Sequence, residues 1–176
     1  MATLKDVRNI LVELDEMTGL SGASLDLKQN NGKRVLASHV FQNVRNASGE
    51  IVERRPVRFE FSKLILSCDM DTLREIVKHE YAHYMALVKY NDNCGHDWRF
   101  KEMCKQIGAN ANETTYTNQS IMQASVKLAK YVVTCDNCGH QYTYSRKCRT
   151  LDLVRTGSPY VTCKCGSHNF TYKQNY

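Results

Sequence analysis

The segment His79-Glu80-Tyr81-Ala82-His83 constrains this chain more than any other, because it reads H-E-x-x-H inside a stretch of helical periodicity. Two histidines four apart lie one turn above each other on one helix face, so both imidazoles can reach the same metal ion. The carboxylate of Glu80 follows the first histidine and can swing toward a water held in the metal's open position. Such a site needs a rigid frame, and the flanking residues supply it. Leu73, Ile76, Val77, Tyr84, Leu87 and Val88 recur at helical spacing, so burial on both sides anchors the motif in mid-helix. Asp69-Met70-Asp71-Thr72 marks the helix start, with Thr72 and Glu75 placed for a capping box, and the helix is predicted to run to about Lys89.

A catalytic zinc site takes three protein ligands and leaves the fourth position to water. His96 stands at the mouth of a second predicted helix, about Asp97–Ile107 with Gly108 closing it, and follows Gly95, which lets the backbone turn toward the metal. Glu102, inside that helix, is the competing third ligand, and Cys94 a more distant one. Glu102 is flanked by Lys101 and Lys105 and reads equally as a solvated helix residue, so the position of His96 is favoured. Tyr81, Tyr84 and Tyr90 are candidates to stabilise an oxyanion, with nothing in the sequence to choose among them.

The rest of the chain divides by pattern. Residues 3–18 carry Leu4, Val7, Ile10, Leu11, Leu14 and Met17 at helical spacing, ended by Thr18-Gly19. Over 32–67, β-branched and aromatic residues alternate with charged ones, which predicts two or three strands with a hairpin turn at Asn46-Ala47-Ser48-Gly49. Pro56 is expected at a strand start or an edge. Residues 109–120 are polar and aperiodic, a linker or loop, and Ile121–Ala129 reads as a short helix.

Of eight cysteines, four form two close pairs near the C-terminus: Cys135-Asp136-Asn137-Cys138-Gly139 and Cys163-Lys164-Cys165-Gly166. Each pair with its glycine makes a tight turn that faces two sulfurs toward one ion, so the set reads as a zinc ribbon with a closed Cys₄ site. The second pair is C-x-C rather than C-x-x-C, and His140, Cys148 and His168 stand by as substitutes. Strands are expected at Gln141–Tyr144 and Tyr160–Thr162. The net charge of +6 lies wholly in this region: residues 127–176 hold eight Lys/Arg against two Asp/Glu, whereas residues 1–126 balance. Arg146, Lys147 and Arg149, interleaved with tyrosines, have the chemistry of phosphate contacts and base stacking, which points to nucleic acid, single-stranded DNA included. The bland alternative is that the tyrosines fill a small β core.

The order of parts resembles the SprT-like metallopeptidase family, which includes the Spartan-type DNA–protein crosslink proteases. The resemblance rests on Leu64-Ile65-Leu66-Ser67, the HEYAH helix, Gly95-His96-Asp97-Trp98-Arg99-Phe100-Lys101 and the cysteine ribbon. It implies an α+β zincin-like metallopeptidase domain, a small β-sheet packed on helices, followed by a C-terminal zinc ribbon. Expected boundaries are 1–115 for the peptidase domain, 116–130 for a linker with a short helix, and 131–176 for the ribbon. It further implies one catalytic Zn²⁺ on His79, His83 and His96 with Glu80 as general base, and one structural Zn²⁺ on Cys135, Cys138, Cys163 and Cys165. The substrate would be protein associated with or crosslinked to DNA.

No apolar run approaches membrane-spanning length and the N-terminus lacks the pattern of a signal peptide, so the expectation is a cytoplasmic protein, nucleoid-associated if bacterial, without a membrane partner. Two rival readings stay open: a nucleic-acid-binding zinc protein with an inactive zincin scaffold, and a general cytosolic peptidase with no DNA link. Oligomeric state is not readable from the sequence.

Overall fold

The computed structural model describes residues 1–32, 35–112 and 118–176. It divides into two compact units, Met1–Ile121 and Met122–Tyr176. Part of the expected strand region (Lys33 and Arg34) and part of the expected linker (113–117) lie outside the described residues.

In the first unit, helix α1 (Leu4–Thr18) turns Val7, Ile10, Leu11 and Leu14 into the core. Its first turn is closed reciprocally: the Asp6 carboxylate accepts from the backbone N–H of Thr3 at 2.7 Å and from its hydroxyl at 2.8 Å. Three strands follow, β1 (Asp26–Asn30), β2 (Ala37–Arg45) and β3 (Ile51–Ser62), in the order β1-β3-β2. β2 and β3 form the expected hairpin, antiparallel, with Gly49 at φ 86° in the turn. β1, which the sequence pattern did not reveal, pairs parallel to β3 from Asp26↔Arg58 to Asn30↔Ser62. Pro56 is neither at a strand start nor on an edge strand. It lies mid-way along central β3, opposite Phe41, where β1 has not yet joined and beside a register shift in β2. The missing N–H is tolerated because no strand asks for it on that side.

Phe59 and Phe61 cover the inner face of the sheet, and helix α2 (Met70–Tyr90) packs on it with Leu73, Ile76, Val77, Tyr81, Ala82 and Met85. The cap of α2 differs from the expected capping box. Asp69, not Thr72, is the N-cap, its carboxylate accepting from the Thr72 N–H at 2.7 Å, while Glu75 pairs with Lys78 at 3.0 Å. Helix α3 (Trp98–Ile107) is capped by Asp97 and ended by Gly108 at φ 62°, as read. Helix α4 (Asn118–Leu128) begins three residues before Ile121, and the boundary between the units falls within it.

In the second unit the central strand is β4 (Tyr131–Cys135), flanked by β5 (Gln141–Tyr144) and β6 (Phe170–Gln174), all antiparallel. The expected strand at Tyr160–Thr162 is absent; the third strand is β6 instead. Helix α5 (Arg149–Arg155), unforeseen, buries Leu151 and Val154 against Tyr131 and Val133. Among the described residues, no helix is long and apolar enough to cross a membrane. The architecture is mixed α+β, with five α-helices and two small sheets among the described residues.

Candidate metal centre

Helix α2 ends with Asn91 in the left-handed region at φ 50°, and the chain then turns through Gly95 at φ 51° to reach α3. This loop brings His96 back to α2, where its Nε2 stands 3.2 Å from His79 Nε2 and 3.1 Å from His83 Nε2. Three nitrogens held tetrahedrally at the usual zinc distance of about 2.0–2.1 Å would lie about 3.3–3.4 Å apart. The donor set and its spacing therefore fit a zinc ion. Glu102 is not part of the cluster: its carboxylate takes the Lys89 ammonium at 3.0 Å and the Tyr90 hydroxyl at 2.7 Å. Cys94 lines the same cavity but donates to the Asp92 carbonyl, and burial holds its thiol above the ordinary range.

Several residues hold this cluster that sequence reasoning did not single out. Phe100, fully buried on α3, lies 4.2 Å from the His83 ring, 4.8 Å from His96 and 4.9 Å from His79, so all three imidazoles rest on one benzene ring. His79 Nδ1 lies 3.2 Å from the Asn110 carbonyl; with Nε2 turned to the cluster, Nδ1 carries the proton and donates. The loop is clasped to β3: Asn91 Oδ1 accepts the Arg54 N–H at 2.6 Å, its Nδ2 donates to the Val52 carbonyl at 3.2 Å, and Arg54 Nη1 donates to the Asn91 carbonyl at 2.6 Å. Asp92 then pairs with both Arg54 and Arg99 at 3.3 Å. Short-range periodic relations are visible in a sequence; a contact across 37 residues is not.

Burial, followed by the neighbouring His79 and His96, pushes the His83 pKa down to about 3, which keeps the imidazole neutral and its lone pair available near neutral pH. Glu80 is gripped from the sheet: its Oε2 accepts the backbone N–H of His39 on β2 at 2.8 Å. The His39 ring packs among Phe59 (5.3 Å), Tyr84 (5.6 Å) and Phe41 (6.4 Å), and its Nε2 is buried with no hydrogen-bond partner among the described residues. Such an unmade bond costs about 1–3 kcal/mol. Burial draws this imidazole down to about 4, so it too is neutral. A cavity of about 330 Å³ joins these groups, lined by Ala37, Ser38, His39 and Phe41 of β2 and by His79, Glu80, His83 and His96. The three tyrosines proposed for an oxyanion turn elsewhere. Tyr81 donates to Asp15 at 2.7 Å, Tyr84 accepts the Ser21 N–H at 3.4 Å, and Tyr90 is held by Glu102.

With this geometry in view, comparison with known families is decisive on one point: the model of the SprT-like family matches residues 22–123. The chain belongs to the SprT-like family. The match covers the sheet of the first unit, helix α2 with His79 and His83, the clasped loop with His96, and helix α3 of this SprT-like chain. Comparison with curated proteins and with solved structures gives no match. The family is associated with metallopeptidase-like and DNA-associated functions, and the donor groups of this SprT-like protein are compatible with zinc.

The second unit gathers Cys135, Cys138, Cys163 and Cys165 with all four sulfurs within 4.8 Å of one another. Cys135–Cys165 and Cys138–Cys163 sulfurs are 3.6 Å apart, too far for a disulfide at about 2.05 Å and close to the roughly 3.8 Å of two thiolates on one zinc. The short second knuckle works because its turn closes one residue sooner: Gly139 N–H reaches the Cys135 carbonyl, whereas Gly166 N–H reaches that of Cys163, both at 2.9 Å. The backbone N–H of Cys165 and the hydroxyl of Tyr142 draw the Cys163 thiol down to about 6. Cys138 receives the His140 backbone N–H but is pushed up to about 12 by the thiols of Cys165 and Cys163. Four such thiols cannot ionise together without a cation between them. His140, Cys148 and His168 stand outside the cluster. Arg146 and Lys147 are exposed between β5 and α5, and Arg149 is exposed as the first residue of α5. Tyr131, Tyr142, Tyr144 and Tyr172 belong to the small core, while Tyr160 and Tyr176 are 87% and 70% exposed.

Proposed function

We propose that this protein is a zinc-dependent endopeptidase of the zincin type, HExxH helix included, with a structural zinc ribbon, acting on proteins associated with DNA. The observation that carries the reading is the convergence of His79, His83 and His96 beside a carboxylate anchored to an edge strand. His79, His83 and His96 would hold one zinc, and Cys135, Cys138, Cys163 and Cys165 another. The peptidase part is assigned to 1–115 and the ribbon to 131–176. When bound, the first zinc supplies Lewis-acid polarisation of the scissile carbonyl and acidifies the attacking water.

The chain's own groups do the rest. Glu80 takes the water's proton as the C–O bond forms and passes it to the amine as the C–N bond breaks. Its link to the His39 N–H keeps the carboxylate aimed into the cavity rather than along the helix. β2 is an edge of its sheet and lines the cavity, so an extended polypeptide can add to it by main-chain hydrogen bonds, which suits cleavage of varied sequences. DNA contact is assigned to Arg146, Lys147 and Arg149 with exposed Tyr160, single strands being favoured by the aromatic component.

The test is Glu80→Gln. Elemental analysis should find zinc retained, while cleavage of a DNA-bound protein falls by at least about 100-fold. A zinc-loaded Glu80→Gln protein that cuts at the wild-type rate removes Glu80 from the reaction. Wild-type protein that binds zinc and DNA but cuts nothing favours an inactive scaffold.

A further inference from the structure

The reaction needs a hydrogen-bond donor where the carbonyl oxygen gathers charge, and none of Tyr81, Tyr84 and Tyr90 lines the cavity. Ser38 and Asn93 line the cavity, but neither is tied to the general base. His39 is. Its backbone N–H holds Glu80, and its ring forms part of the same cavity wall as His79, His83 and His96. From the standpoint of packing alone, an imidazole is a poor choice here. Three aromatic rings surround it, Nε2 is sealed without a partner among the described residues, and a phenyl group would fill the place with nothing left unsatisfied. Groups kept at a cost to stability are characteristic of sites where chemistry uses them.

We propose that His39 is a substrate-contacting residue whose Nδ1–H, on the ring nitrogen that is not sealed, donates to the carbonyl oxygen of the peptide bond being cut. The proposal rests on the peptidase reading above. An imidazole suits the role, since it carries a ring N–H donor on the same cavity wall as the three histidines. One residue then serves two ends of the reaction: the main chain aims the base and the side chain meets the oxygen.

The experiment compares wild type with His39→Phe, His39→Leu and His39→Gln. The readouts are zinc content, melting temperature, and kcat and KM on a fluorescently labelled unfolded protein, with and without a single-stranded oligonucleotide. Expected for His39→Phe are unchanged zinc, a melting temperature equal to or above wild type, kcat lower by about 100-fold and KM within about threefold. His39→Gln, which keeps an N–H donor, should retain more kcat than either apolar variant. His39→Leu carries the same comparison if the larger ring misfolds. A folded, zinc-loaded Phe or Leu variant with wild-type kcat overturns the proposal and leaves the peptidase reading standing. A loss of zinc or a lowered melting temperature in all three variants, with activity falling in step, also overturns it, because the role is then structural. Zinc-loaded wild type that cuts nothing removes the peptidase reading and the proposal together.

Discussion

Arg54 never touches the histidine cluster, yet its removal should loosen the first metal site selectively. The side chain, 23% exposed, gives a 2.6 Å hydrogen bond to the Asn91 carbonyl and a 3.3 Å ion pair to Asp92, itself 41% exposed. A hydrogen bond from a charged group is worth about 1.5–3 kcal/mol when well buried. Partial exposure cuts that down, and the ion pair adds between about 0 and 1 kcal/mol. Asn91 keeps its own bonds to the β3 main chain, so part of the clasp survives. A net loss of about 1–2 kcal/mol is then borne by metal binding, since only the bound state requires the loop in place. That corresponds to about 5–30-fold weaker zinc at the histidine site in Arg54→Met. Competition against a graded series of chelators reads this directly, with the cysteine site as internal reference. Equal weakening at both sites, or none at either, would refute the clasp argument.

Phe100→Ala should cost about 3–5 kcal/mol in chemical denaturation and release zinc from the histidines, because it removes both core volume and the common support of three rings. Asp69→Ala should cost about 1 kcal/mol near neutral pH. The Ser120 hydroxyl and the Thr72 N–H hold the Asp69 carboxyl down to about 2, so its contribution is full above about pH 4 and should disappear as pH falls toward 2, which denaturation curves at stepped pH will follow. Replacing Arg146, Lys147 and Arg149 together by Ala should lower the salt dependence of single-stranded DNA binding by about two units of log–log slope while DNA-independent peptidase activity persists.

His79, Glu80 and His83 were legible because their relation is fixed by helix pitch, and the cysteine pairs because each knuckle is local. The choice of His96 over Glu102 was legible only as a preference. It depends on where a six-residue path from Asn91 closes, and on Lys89 and Tyr90 occupying Glu102. Strand β1 escaped notice because Asp26-Leu27-Lys28-Gln29-Asn30 has a single large apolar residue; its state comes from pairing with β3, not from its own pattern. Helix α5 spans two turns and buries two side chains, too short for periodicity to speak. The capping error at α2 arose because Asp69 and Thr72 are both competent caps, and the backbone path before the helix decides between them. His39 was invisible for a different reason, since a strand histidine acquires meaning only from what faces it.

The hydrogen bond from His39 to Glu80 has a consequence for how a polypeptide can be threaded. The Leu36 carbonyl accepts from Ser62 on β3, so Leu36 faces inward and Ala37 and His39 face the open edge of β2. On the peptidase reading, an incoming strand would find the donor at His39 already taken by the carboxylate proposed to perform the cut, whereas the one at Ala37 points the same way two residues back. Registers that need the His39 N–H must displace Glu80 and so disarm the site; registers that skip it leave the base in place. The base thus acts as an index pin on the strand. On that reading, main-chain alignment would bias which bond of an arbitrary sequence lies over the histidines before any side chain is read.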